Sequence, residues 1–206
     1  MCIKVLGIST SPRIKGNSDL LLRRALQGAE STGANTEYVH LADYKIGPCI
    51  ECNYCYSSGI CVLNDDYPKL LEKLLSIDRL IFATPIFFMN VCAQAKILID
   101  RGQCLWVRKY ILKKELISPE RNRRAMAIAV GGSKSMKQLD CVRLTMKAYF
   151  DSLQTKYTCG LYVNKIDARG DITTHPSALD EAYRLGALLA DTSLASGSKP
   201  VEIELT

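Results

Sequence analysis

The stretch Ile3-Lys4-Val5-Leu6-Gly7-Ile8-Ser9-Thr10-Ser11-Pro12-Arg13-Ile14-Lys15-Gly16-Asn17-Ser18 decides how the chain folds. It opens as a short apolar run, broken only by Lys4, and then turns into a loop of hydroxyls, an amide and two cations. Behind the loop, Leu22, Ala25, Leu26 and Ala29 fall at i, i+3, i+4 and i+7, one face of a helix. A buried strand, a polar loop and an amphipathic helix in that order form the first half of a βαβ unit.

The same alternation continues outward. Thr36 to Leu41, Arg79 to Ala83, Ala125 to Val130 and Lys156 to Val163 read as further strands. Helices are expected over Asp66 to Ser76, Ala93 to Gly102 and Ser135 to Ser152, and a last one is marked by Leu179, Ala182, Tyr183, Gly186 and Leu189. Five short apolar strands separated by helices predict an α/β fold, a doubly wound parallel sheet with helices on both faces. One domain over residues 1–195 is expected, with 196–206 as a C-terminal tail. In such sheets ligands sit at the carboxyl ends of the strands, near a topological switch point. The loops after Ile8, Ala83 and Val130 are therefore the places to look for function.

Composition narrows the class. The chain has 206 residues, 48% of them hydrophobic and 23% charged, as expected for one globular core. No stretch approaches the ~20 apolar residues of a membrane span, and the N-terminus does not read as a secretory signal. A cytoplasmic protein is expected, so its nine cysteines should stay mostly reduced and serve metal or redox roles rather than a disulfide scaffold. The net charge is +6, with basic clusters at Arg121-Asn122-Arg123-Arg124 and Lys113-Lys114. Neither cluster carries interleaved aromatics or a nucleic-acid module. They read as a solvated basic face; neither a nucleic-acid partner nor a membrane is expected.

The loop after the first strand lacks the glycine spacing of a dinucleotide fingerprint and the Gly-Lys-Ser/Thr ending of a Walker A loop. Ser9, Ser11, Arg13, Asn17 and Ser18 instead offer hydroxyls, an amide and a cation at a helix N-terminus, which suits a phosphate monoester. The plainer reading is a helix N-cap at Asn17 or Ser18. In the loop after the third strand, Pro85, Ile86, Phe87, Phe88 and Asn90 put bulky groups at an exposed strand end, where a planar ligand or a partner subunit would cover them. Pro85 is expected to stop that strand. Gly131 and Gly132 let backbone approach a ligand closely.

The pattern G-x-S-x-S-P-R-x-x-G-N-S from Gly7 to Ser18 resembles the flavin phosphate loop of the flavodoxin-like NAD(P)H-dependent FMN reductase family. Thr84-Pro85-Ile86-Phe87-Phe88 and the run Ala93 to Arg101 resemble that family's isoalloxazine loop and the helix after it. The resemblance spans residues 3 to about 195 and implies FMN. The phosphate would lie on Ser9, Ser11, Arg13, Asn17 and Ser18, and the ring against Pro85 to Asn90 and Gly131-Gly132.

A second motif fills the loop at 48–62. Cys49, Cys52, Cys55 and Cys61 follow C-x2-C-x2-C-x5-C. Structural zinc sites more often use two C-x2-C pairs with a longer spacer. Successive x2 spacings match a chain wrapping one cubane, and here a single loop supplies all four thiolates. A 4Fe–4S cluster is favoured; zinc and unligated redox thiols are the alternatives. Cys2, Cys92, Cys104, Cys141 and Cys159 read mainly as structural thiols. A compact cysteine run after the second strand resembles the iron–sulfur flavoproteins of anaerobic archaea and bacteria. That resemblance implies one FMN and one cluster per subunit, in a homodimer or homotetramer where one subunit's cluster approaches its neighbour's flavin. Met89-Asn90-Val91 departs from the small residues common in relatives, and the basic segment from Cys104 to Arg124 is expected at a subunit or partner surface.

The function expected is an electron-transfer oxidoreductase. A ferredoxin-like donor would supply electrons and a small acceptor such as dioxygen, peroxide or a quinone-like compound would take them. The alternatives are an NAD(P)H-dependent FMN or quinone reductase with structural zinc, and a non-enzymatic redox-sensing protein. No catalytic acid or base is assigned, because His40 and His175 are the only histidines and neither lies in the flavin loops.

Overall fold

The computed structural model describes residues 2–195 and 197–206. Strand β1 (Lys4–Ser9) leads through helix α1 (Asn17–Glu30) to β2 (Asn35–His40). After the cysteine loop, with its one-turn helix α2 (Cys55–Ser58), come α3 (Tyr67–Ser76), β3 (Arg79–Phe87) and the short β4 (Asn90–Val91). Helices α4 (Ala93–Arg101) and α5 (Gln103–Trp106) then precede β5 (Arg124–Val130), α6 (Lys137–Ser152), β6 (Lys156–Val163), α7 (Ala178–Ala190) and β7 (Val201–Leu205). The sheet runs β2-β1-β3-β5-β6-β7, all parallel, and β4 adds an antiparallel hairpin to β3. The strand order reverses between β1 and β3, which opens a crevice beyond their carboxyl ends.

Alternation within the central strands feeds two cores. Leu80, Phe82, Ala125, Ala127 and Ala129 point to the face covered by α3, α4 and α6. Ile81, Ala83, Met126, Ile128 and Val130 point to the face covered by α1 and α7. Because both faces are covered, these strands are apolar throughout, as a parallel sheet requires. On α6, the expected stripe Leu139, Val142, Met146, Tyr149 and Phe150 is buried.

Three expectations need correction. First, the segment expected as a tail carries β7, so the sheet has a sixth parallel strand; Ser196 lies outside the described residues. Val-Glu-Ile-Glu-Leu alternates with period two, and Arg143 and Lys147 of α6 pair with Glu202 while Arg143 also pairs with Glu204. Second, Pro85 does not stop its strand. It forms the last pair of the β3–β5 ladder, opposite Val130, where a missing N–H is tolerated, and β3 continues to Phe87 against β4.

Third, Arg123 and Arg124 are buried rather than solvated. Arg123 donates through Nε to Ile77 O at 3.0 Å and through Nη1 to Leu153 O at 2.7 Å, closing the C-terminal ends of α3 and α6. Arg124 donates to Asp191 O at 3.0 Å beyond α7, and Arg79 to Leu189 O at 2.8 Å within its last turn. Helix C-termini leave unsatisfied carbonyls at the negative end of the dipole, so a cation there is held without a carboxylate. Burial lowers Arg79 and Arg123 to about 10, which leaves both charged at neutral pH. The basic cluster is largely a set of helix caps.

No helix among the described residues is long and apolar enough to cross a membrane.

Candidate functional site

The β1–α1 loop is a compact turn. Ser11 Oγ accepts the Arg13 N–H at 3.1 Å and donates to Arg13 O at 3.0 Å, while Gly16 N–H closes onto Arg13 O at 3.1 Å. A Cβ on Gly16 would lie 3.0 Å from Ser11 Oγ, so the turn is this tight only with glycine. Its product is the N-terminus of α1, with Ser18 just inside. The Ser18 hydroxyl is buried and has no hydrogen-bond partner among the described residues. An unmatched hydroxyl beside the free N–H groups of a helix start is the arrangement a phosphate completes.

A groove of about 120 Å³ collects Ser11, Arg13, Asn17 and Ser18 from this loop, Pro85, Ile86 and Phe87 from β3, and Gly131 and Gly132 after β5. The glycines let the walls meet. A Cβ on Gly131 would come within 2.8 Å of Gln138 Oε1 and 3.1 Å of Ile86 Cβ, and one on Gly132 within 2.9 Å of Asp167 Oδ1.

Other expected residues lie elsewhere or do other work. Ser9 is buried beneath the loop and does not line the groove. Its hydroxyl, like that of Ser18, has no hydrogen-bond partner among the described residues. The Asp19 pKa is lowered: burial would raise it, but Tyr38 OH, the Lys15 N–H and Arg23 outweigh that. Asn17 lines the groove, yet its side chain is committed. Nδ2 donates to Ala168 O at 2.8 Å, and Oδ1 accepts from Gly170 N at 2.9 Å and Ile172 N at 3.3 Å. Asn90 accepts from Val91 N at 2.8 Å and from Thr145 Oγ1 at 3.2 Å, which fixes the hairpin rather than a ligand. Phe88 stands outside the groove at the hairpin tip.

That tip is unusual. Phe88 and Met89 have φ of 47° and 67°, a left-handed pair that two-residue hairpins normally reserve for Asn and Gly. Phe88 is fully exposed, and Phe87 and Met89 are partly so. Strain and apolar exposure held together beside a groove mark a surface that something covers.

Sequence reasoning missed the fourth wall, Ile166, Asp167 and Arg169 from the β6–α7 loop. Arg169 donates to Ile14 O at 2.8 Å and brackets the phosphate-type turn. The signal was available: this loop also follows the carboxyl end of a strand, as the other three do.

The cysteine loop forms a second, separate site. Its base is fastened by Gly47 N–H to Asp65 Oδ2 at 3.0 Å and Lys45 N–H to Asp66 Oδ2 at 2.8 Å. Cys49, Cys52, Cys55 and Cys61 line one cavity of about 480 Å³, walled on the far side by residues of α4, α5 and α6 that include Cys104. Burial pushes the Cys55 thiol up, and the Cys104, Cys49 and Cys61 sulfurs add to that. Glu51 and Asn53, on either side of Cys52, have φ of 54° and 60°. Left-handed residues of this kind build the N–H concavities that receive anionic sulfur centres. All nine cysteines are free thiols. Among the described residues no group of three or more His, Cys, Asp or Glu stands in a metal-holding arrangement. The thiols share a cavity without being drawn into a coordination sphere, and their chemistry fits a soft, thiolate-bound metal centre.

Comparison with known proteins places the chain in a family. A family profile described as NADPH-dependent FMN reductase matches residues 3–154. An iron–sulfur flavoprotein of Methanocaldococcus jannaschii is 34% identical over 197 residues, covering 92% of this chain and 96% of the relative. One from Methanosarcina thermophila is 33% identical over 133 residues, 65% of each chain. The solved NAD(P)H:quinone oxidoreductase from Methanothermobacter marburgensis has the same fold, with a TM-score of 0.71 over 95% of this chain and 100% of that one at 16% identity. Fold, groove and relatives together define an FMN-dependent oxidoreductase. The chain belongs to the NADPH-dependent FMN reductase family, among its iron–sulfur flavoproteins.

Proposed function

We propose that this chain is an electron-transfer oxidoreductase that binds FMN in the groove and a 4Fe–4S cluster on Cys49, Cys52, Cys55 and Cys61, takes electrons from a ferredoxin-like donor and passes them to a small acceptor such as dioxygen, peroxide or a quinone-like compound. The observation that carries this reading is the pairing of a phosphate-type groove with a four-thiol cavity that shares no lining residue with it. When bound, the cluster supplies one-electron chemistry and FMN two-electron chemistry.

The protein's own groups divide the work. Ser18 and the first N–H groups of α1 would hold the phosphate, Arg13 and Arg169 would neutralise it, and Ser11, whose hydroxyl donates to Arg13 O, shapes the turn. The groove volume is far below the ~300–1,000 Å³ of pockets that enclose a whole small molecule. Phe87 and the hairpin beside the groove would therefore hold the part of the ring that the groove does not enclose. A second copy of the chain is the natural cover, because Ile50, Tyr54, Tyr56, Ile60 and Val62 of the cysteine loop are also exposed. Burying both apolar surfaces at one interface would bring the two cofactors together in a homodimer or homotetramer.

Arg13→Ala is expected to weaken FMN binding about tenfold, ~1.4 kcal/mol, with iron content unchanged. The modest size follows from the exposure of Arg13, which screens its charge. Titrating the flavin-free protein with FMN and following flavin fluorescence measures it.

The reading is tested by anaerobic purification followed by iron, sulfide and flavin assays, then by reduction with ferredoxin against NAD(P)H. Iron, sulfide and FMN in one preparation, with rapid reduction by ferredoxin, is the expected result. A protein with FMN and one zinc would overturn the cluster assignment. Rapid reduction by NAD(P)H with no response to ferredoxin would instead support the donor named in the family description.

A further inference from the structure

One buried cation in the cysteine cavity has no part in the proposed electron transfer so far. Arg101, the last residue of α4, has a side chain 0% exposed. Its Nη1 donates to Gly47 O at 3.0 Å and pairs with Asp65, its Nη2 donates to Asp65 Oδ1 at 3.1 Å, and the Tyr67 ring lies 4.6 Å from Cζ. The third nitrogen, Nε, is buried and has no partner among the described residues. Arg101 and Cys61 both line the cavity.

A buried, charged nitrogen whose N–H has no acceptor carries the full cost of desolvating it unless an acceptor arrives. Lysine would not create this situation. Only the guanidinium fork can grip Gly47 and Asp65 with two nitrogens and still present a third. The acceptor chemistry on offer in the cavity is thiolate sulfur.

Resting on the 4Fe–4S reading, we propose that the Nε–H of Arg101 donates a charge-assisted bond to the Cys61 sulfur when that thiolate ligates the cluster, and that Asp65 sets how much of the guanidinium charge the cluster feels. A cation and an N–H donor at a ligand sulfur stabilise the reduced, more negative cluster and raise its potential. The Asp65 carboxylate opposes that effect. A merely structural role also exists, since Arg101 ties Gly47 and Asp65, the two stems of the cysteine loop. That role governs whether the cluster is held and not where it titrates.

The experiment compares full-length wild type, Arg101→Gln, Arg101→Lys and Asp65→Asn after anaerobic reconstitution. Iron, sulfide and FMN contents are measured first, then the cluster midpoint potential by a spectroscopically monitored redox titration. Arg101→Gln should lower the potential by at least a tenfold change in the one-electron equilibrium, about 59 mV. Asp65→Asn should shift it upward, and Arg101→Lys, which keeps the charge without the fork, should fall between wild type and Arg101→Gln. Unmoved potentials in iron-replete variants, or shifts of one sign at Arg101 and Asp65, overturn the proposal. If Arg101→Gln fails to hold iron, Asp65→Asn alone decides: a rise supports the bond, and no change or a fall removes it. Wild type that binds FMN but no iron and sulfide would bring down the cluster reading itself, an outcome distinct from a bound cluster whose potential ignores Arg101.

Discussion

Replacing Cys52 or Cys55 with alanine is expected to abolish iron and sulfide binding while FMN stays at the wild-type stoichiometry. Cys55 opens the one-turn helix α2 and lines the cavity with Cys49, Cys52 and Cys61, so its loss removes one of the four thiols on that cavity. Cys52 sits between two left-handed residues, and no neighbouring backbone can move another donor into its place cheaply. Cys104 is the one further thiol on the cavity, but it is buried in α5, and recruiting it would require that helix to shift. The flavin groove should not notice, since it is built from other loops and the cysteine loop is fastened at its base by Asp65 and Asp66. Iron, acid-labile sulfide and released flavin, assayed on one anaerobic preparation, give the answer. Iron retained in either variant would mean that the ligand set is wrong. Loss of FMN together with iron would mean that the cysteine loop also builds the flavin pocket, across a subunit boundary.

The separation between the two sites is legible in the sequence, because each motif is continuous along the chain. Gly7 to Ser18 is one strand–loop–helix unit, and the four cysteines lie in one loop, so both motifs can be located in the sequence, while what each would bind is implied by the family resemblance. The central strands are legible for a related reason: a parallel sheet covered on both faces leaves unbroken apolar runs such as Ala125 to Val130. Features set by distant partners are not legible in this way. Asn17 reads as a phosphate ligand by position, but its amide is used by Ala168, Gly170 and Ile172 more than a hundred residues away. Arg123 and Arg124 read as solvated because nothing local shows that three helices end beside them. The strand at Val201–Leu205 escapes notice because an edge strand is half polar and its glutamates find their partners on α6. Arg101 closes the run that begins at Ala93, yet only the fold sets it against Asp65 and Cys61.

Gly186→Ala is expected to lower the melting temperature by roughly 2–12 °C and to weaken FMN binding, without loss of iron from the folded protein. Helices α1 and α7 cross with backbone against backbone. A Cβ on Gly186 would stand 1.9 Å from Ala25 O, and one on Gly28 would stand 1.9 Å from Tyr183 O. Neither obstacle is a flexible side-chain end, so the helices themselves must part. Parting them loosens Leu22, Ala25, Leu185 and Leu189 in the core they share, and overpacking of this kind costs about 1–3 kcal/mol. At ~2–4 °C per kcal/mol for a domain of this size, the drop in melting temperature follows. The functional part of the expectation comes from where α1 begins. Ser18 and the Asn17 cross-link to the β6–α7 loop ride on its first turn, so a displaced α1 carries the N–H groups proposed to hold the phosphate away from Arg169. Cys55 and Cys61 pack against the other core, under α3, α4 and α6, and should keep their cavity. Thermal unfolding and FMN titration of the same variant measure both effects. An unchanged melting temperature would show that the two helices are not held at this spacing. A lowered one with unaltered FMN affinity would show that the phosphate site does not depend on where α7 holds α1.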